Sequence, residues 1–160
     1  MSELLYPVRH FIRKSLLTLR LCALAGENPV SETNMANELI LIVEDNEKNR
    51  KLARDVLQVK GYKTIESETA EEGLKLAAEK SPALILMDIQ LPGMDGITAV
   101  KQLKAEPKTK SIPVIAITAS AMTYNRQTMM AEGFDGYQTK PINLKDFLGE
   151  VERVLKVTSK

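Results

Sequence analysis

Short apolar runs that each stop at a polar residue, separated by stretches of helical periodicity, constrain this chain more than any other feature. Leu39-Ile40-Leu41-Ile42-Val43 runs into Glu44-Asp45, a second run through Leu86-Met87 ends at Asp88, and Val114-Ile115-Ala116-Ile117 ends at Thr118. Strands over 38–43, 63–66, 84–87, 113–117 and 135–138 alternate with helical patterns over 47–60, 70–80, 96–105, 123–132 and 143–156. Such alternation is what a parallel sheet with crossover helices requires, because parallel neighbours need a long connection. The helix ends carry their own signals. Asn46 is placed to cap the first helix and Gly61 to stop it, Thr69 and Glu72 have capping-box spacing, and Asn143 can cap the last. Leu144, Phe147, Leu148, Val151, Val154 and Leu155 draw one apolar stripe along that last helix.

Composition of the strands also orders them. The first, third and fourth are almost wholly apolar, as strands covered on both faces must be. Lys63-Thr64-Ile65-Glu66 and Asp135-Gly136-Tyr137-Gln138 are mixed, as edge strands are. Three central strands between two edges match the α/β, flavodoxin-like (βα)5 arrangement, a doubly wound parallel sheet in the order 2-1-3-4-5. In that order the first and third strands are neighbours at the switch point, and Glu44, Asp45 and Asp88 share one crevice beyond their carboxyl ends.

Three carboxylates this close repel, so they take up protons or hold a cation. An all-oxygen site selects a hard ion, and Mg²⁺ is expected where phosphate is the other ligand. Thr118 brings a hydroxyl from the fourth strand, and Lys140, in Thr139-Lys140-Pro141, brings a fixed positive charge after the fifth. Metal, ammonium, hydroxyl and a lone carboxylate directed at one gap suit a phosphoryl group, with Asp88 as the nucleophile of an acyl phosphate. Taken singly, each residue has an ordinary reading, since acids cap helices and Thr and Lys decorate strand ends. Four of them at the ends of the right four strands argue together.

The rest of the composition narrows the class. The 160 residues fit one domain, and 22 Lys and Arg against 21 Asp and Glu leave a net charge of +1, which is no polyanion-binding balance. One cysteine, Cys22, excludes an internal disulfide framework and suits a reducing, cytoplasmic setting; with His10 the one histidine, a Cys/His zinc site inside one chain is not expected. Residues 1–34 differ from the rest. Arg9, His10, Arg13, Lys14 and Arg20 stand among Leu4, Leu5, Val8, Phe11, Ile12, Leu16 and Leu19 at near-helical spacing. Two readings stay open: an unstructured extension ahead of a domain over 35–160, or a basic amphipathic helix over 4–21 that touches a membrane surface, with polar or membrane-proximal recruitment. Without residues 1–34 the chain keeps 18 basic and 18 acidic residues, a neutral balance.

From about Glu38 to Lys156 the chain resembles the receiver domains of bacterial response regulators. The resemblance rests on Ile42-Val43-Glu44-Asp45-Asn46, on Leu86 to Gly96 (Leu-Met-Asp-Ile-Gln-Leu-Pro-Gly-Met-Asp-Gly), on Ile117-Thr118-Ala119 and on Lys140-Pro141. It implies that Asp88 is the phosphoacceptor for a phosphohistidine of a sensor histidine kinase or a histidine phosphotransfer protein. Asp45 would bind Mg²⁺ directly and Glu44 through water, with the backbone carbonyl of Gln90 as a further ligand. Lys140 would pair with phosphoryl oxygens, Thr118 would swing to the phosphate, and Tyr137 would follow as second switch residue. The Lys140-Pro141 bond is expected to be cis. Many receivers carry two aspartates where this chain has Glu44-Asp45; the longer Glu still reaches the water shell of a metal. Gln90 and Ser120 occupy positions that tune hydrolysis in the family.

Only four residues follow Lys156, so output is expected through a protein contact on the face of the fourth helix, fifth strand and fifth helix, including Ala121, Met122, Tyr124 and Tyr137. Met122, Met129 and Met130 suit either an adaptable contact or core packing. The motif context is similar to polar-differentiation regulators of the DivK type and to receivers of hybrid kinases. The expected function is a phosphorylation-dependent protein switch that catalyses only its own phosphorylation and dephosphorylation; the alternative is a phosphorelay shuttle. A haloacid-dehalogenase-type phosphatase fits poorly, because that chemistry places a second Asp where Gln90 stands.

Overall fold

A computed structural model describes residues 37–158. The boundary expected near residue 34 and the helix expected over 4–21 lie outside the described residues. Five parallel strands, β1 (Leu39–Val43), β2 (Lys63–Ser67), β3 (Leu84–Asp88), β4 (Val114–Thr118) and β5 (Gly136–Thr139), form one sheet in the order β2-β1-β3-β4-β5. Five helices connect and follow them: α1 (Glu47–Val59), α2 (Ala70–Lys80), α3 (Gly96–Ala105), α4 (Arg126–Glu132) and α5 (Leu144–Thr158). The flavodoxin-like order read from strand composition is the observed one.

Alternation along the central strands divides the core in two. Ile40, Ile42, Leu84, Leu86, Ile115 and Ile117 face Leu57 of α1 and Phe147, Val151 and Leu155 of α5. Their chain neighbours Leu41, Val43, Ile85, Met87, Val114 and Ala116 face α2, α3 and α4 through Ala77, Leu103 and Met129. Full burial of an aliphatic side chain contributes roughly 1.5–3 kcal/mol, so these doubly covered strands are the stable base of the site. The methionines divide accordingly: Met129 is core, Met130 packs against it half-buried, and Met122 is fully exposed.

Local signals held with two differences. Asn46 Oδ1 accepts from the Lys48 and Asn49 N–H groups, Gly61 takes φ +89° just past the end of α1, and Asn143 Oδ1 accepts from the Lys145 and Asp146 N–H groups. At α2 the capping box forms by half. Thr69 Oγ1 accepts from the Glu72 N–H, but Ser67 Oγ takes the Thr69 N–H and donates to Glu72, standing where the box would close on itself. The fourth helix begins at Arg126, later than the expected 123, because Asn125 caps it and residues 120–124 close a separate turn, in which the Tyr124 N–H donates to the Ser120 carbonyl.

Candidate functional site

Register brings the polar strand ends level. Val43 pairs with Met87, which sets Glu44 beside Asp88; Asp88 pairs with Ile117, and Thr118 with Thr139, so Lys140 follows directly. The chain then fixes the details. The Gln90 N–H donates to Asp88 Oδ1 at 2.9 Å, turning the backbone sharply after β3. The turn closes with the Gly96 N–H on the Ile89 carbonyl, and a Cβ at Gly96 would stand 2.3 Å from the Asp88 carbonyl oxygen. Only glycine fits there. Gly93, at φ +78°, supplies the left-handed residue of the same loop.

Lys140 Nζ lies between two carboxylates, 2.6 Å from Asp88 Oδ2 and 2.8 Å from Glu44 Oε2. Both acids are buried, and the Lys140-Pro141 bond that follows is cis. Burial pushes the Glu44 carboxyl up, with the nearby Asp88 charge adding to it, and the Lys140 contacts recover only part of that cost. For Lys140 burial works against the ammonium, yet its bonds to Asp88 and Glu44 outweigh it and hold its pKa above the usual lysine value. Glu44, Asp45 and Asp88 bring carboxylate oxygens within 4.8 Å of one another. Two buried acids, an exposed third and an ammonium already drawn among them make a cation-seeking, all-oxygen site, and that donor set fits Mg²⁺.

The other expected residues fall around this cluster. Thr118 is fully buried, and its Oγ1 accepts from the Ser120 N–H at 3.1 Å. Tyr137 is half-buried and donates its hydroxyl to the Tyr124 carbonyl in the turn before α4. Its own N–H donates to Glu150 Oε1. Glu150 also receives Arg126 and Arg153. Burial pushes the Glu150 carboxyl up, but the Arg153 bond and the Tyr137 N–H prevail and bring it down to about 2.

Two residues near the cluster escaped the sequence reading. Asn49 Nδ2 donates to Glu44 Oε1, and Arg50 donates from one nitrogen to the carbonyls of both Glu44 and Asp45. Their signal in the sequence is position alone: they lie on the first turn of α1, three and four residues beyond the cap. That turn faces back onto the strand end.

Comparison with known proteins gives a consistent picture. The family described as the response regulator receiver domain matches residues 40–152. The polar-differentiation response regulator DivK of Brucella ovis is 43% identical over 116 residues, which cover 72% of this chain and 94% of DivK; DivK of Brucella anthropi is equally similar. Among solved structures, the receiver domain of a sensor histidine kinase from Pseudomonas aeruginosa superposes with a TM-score of 0.70 at 28% identity. It covers 76% of this chain and 99% of that one, and is described with a magnesium ion coordinated in its active-site cleft. A CheY-like receiver from Methanospirillum hungatei gives 0.68 at 30% identity, with 76% and 96% covered. Among the described residues, no helix is long and apolar enough to cross a membrane.

Proposed function

The chain belongs to the response regulator receiver domain family of two-component signalling, and from that premise we propose that Asp88 is its phosphoacceptor. One observation carries the reading: Lys140 Nζ touches Asp88 and Glu44 at once, in a crevice where three carboxylates converge. A carboxylate oxygen of Asp88 attacks the phosphorus of a phosphohistidine on a histidine kinase or histidine phosphotransfer protein. The new P–O bond forms as the P–N bond breaks, and the imidazole nitrogen keeps the electron pair and takes up a proton. Glu44, Asp45, Asp88 and the Gln90 carbonyl would hold Mg²⁺, which when bound neutralises charge on the phosphoryl oxygens.

Lys140 then exchanges its contact with Asp88 for one with a phosphoryl oxygen. Thr118 Oγ1 leaves the Ser120 N–H to hydrogen-bond the phosphate, and Tyr137 gives up the Tyr124 carbonyl as it turns inward. That rearrangement reshapes the α4–β5–α5 face, the proposed contact for a downstream protein. In this reading the chain is no enzyme in the usual sense, since it catalyses only its own phosphorylation and dephosphorylation, and it works in the cytoplasm.

Phosphotransfer from purified, radiolabelled histidine kinases tests the proposal. One cognate kinase should label the wild type within seconds in Mg²⁺ and fail with Asp88→Asn. Equal labelling of that variant would overturn it. Onward transfer from phospho-Asp88 to a histidine phosphotransfer protein would make the chain a relay shuttle in place of a terminal switch.

A further inference from the structure

Among the described residues, Arg50 is the cation of the β1–α1 corner that grips backbone. Its guanidinium, with the side chain only 11% exposed, donates from Nη1 to the Glu44 carbonyl at 2.8 Å and to the Asp45 carbonyl at 3.3 Å. The same fork donates from Nε to Glu66 Oε2 at 3.2 Å and from Nη2 to Glu68 Oε1 at 2.8 Å, at the end of the edge strand β2. The group lines a polar cleft of about 330 Å³ with Glu66, Ser67, Glu68 and Glu72. Four donor–acceptor contacts therefore tie the loop that carries Glu44 and Asp45 to the edge of the sheet.

We propose that Arg50 is a positioning residue for the cation site, holding the backbone of Glu44 and Asp45 so that their carboxylates are presented together with Asp88. The proposal rests on the reading of this crevice as a Mg²⁺ site. Its physical basis is the geometry of the side chain. The two carbonyls and two carboxylates lie around one planar group whose donors point in fixed directions, and a lysine ammonium supplies the charge without the fork. Charge itself argues the other way, since a bare cation beside a cation site would weaken it; Glu66 and Glu68 offset that charge here. What remains is orientation. Outer-shell partners of metal ligands commonly change metal affinity by about 10–100-fold when lost.

Arg50→Lys keeps the charge and removes the fork, so it separates the two effects. Isothermal titration of the full chain with MgCl2 should show affinity about tenfold weaker than wild type. The rate of labelling by acetyl phosphate should recover to within about twofold of wild type once Mg²⁺ is saturating, the pattern of a residue that acts through the ligands. Arg54→Lys is the control, because Arg54 shares Glu66 with Arg50 but does not touch the loop; its Mg²⁺ affinity should stay at the wild-type value. If Arg50→Lys folds poorly, Arg50→Met with Glu66→Gln removes the fork at constant net charge and should weaken affinity equally. Wild-type affinity in whichever of these variants folds would overturn the proposal. A wild type that binds no Mg²⁺ would instead overturn the reading of the crevice itself.

Discussion

Two corners at the same end of the sheet are built in opposite ways. At the β1–α1 corner three residues separate the strand from the helix, and nearly every group in between is held. The Glu44 N–H donates to the Ser67 carbonyl, Glu44 Oε1 accepts from the Asn46 N–H and from Asn49, and Arg50 takes two carbonyls. At the β4–α4 corner seven residues separate Thr118 from Arg126, α4 itself has only 7 residues, and Met122 stands fully exposed. That turn is held by single, replaceable bonds: Ser120 N–H to Thr118, Ser120 to Thr123, and Tyr137 to the Tyr124 carbonyl. One corner fixes acids where a cation needs them. The other can change shape at low cost, because each of its hydrogen bonds contributes only about 1 kcal/mol net.

The Lys140 ammonium bridges Glu44 at the first corner and Asp88 at the end of β3, so its removal should have the largest effect. Lys140→Met leaves Glu44 and Asp88 buried without their ammonium and should lower metal-free stability at pH 8 by about 3 kcal/mol. Added MgCl2 should recover most of that loss in urea melts, while labelling by acetyl phosphate stays about 100-fold slower than wild type. An unchanged melt would mean that the two buried acids do not depend on the ammonium.

Glu150 underlies the β4–α4 corner, since it holds the Tyr137 N–H and Arg126 together. Its folded pKa lies near 2, below the ordinary 4.5 of a glutamate. A lowered value means stability that is fully present above pH 4.5 and is lost as pH falls toward 2, at most about 3 kcal/mol. Glu150→Gln should therefore be less stable than wild type by about 2–3 kcal/mol at pH 6. The gap should close as the pH approaches 2; a gap that stays constant with pH would contradict the assignment.

Tyr137→Phe should have the smallest effect. It removes one hydroxyl bond to the Tyr124 carbonyl and should cost about 1 kcal/mol, with faster hydrogen exchange of the amides of residues 120–125 and no change at residues 44–50. Equal acceleration at both corners would erase the contrast between them.

Most of the fold was legible because its signals are short-range or binary. Central strands had to be apolar on both faces, edge strands could not be, and caps such as Asn46 and Asn143 announce helix starts. The late start of α4 was not legible, because a competing turn through Ser120, Thr123 and Tyr124 satisfies the same backbone groups. Nor was Ser67's part in the cap of α2. At the site, the residues with charge on a strand end were visible, and Asp88, Glu44, Asp45 and Lys140 do converge. Arg50 was not visible as part of the site. Its role depends on two backbone carbonyls and on acids 16 and 18 residues away, which no local spacing reveals. Gly96 was visible only as a glycine, until the 2.3 Å approach of the Asp88 carbonyl gave the reason.

Phosphorylation of Asp88 in a cation-dependent site leaves a direct mark on the mass of the protein. Intact-mass measurement after incubation with acetyl phosphate tests it most directly. The wild type should gain one phosphate in MgCl2 and none after chelation with EDTA, and Asp88→Asn should gain none in either condition. An Asp88→Asn protein that gains the phosphate as readily as wild type would contradict it.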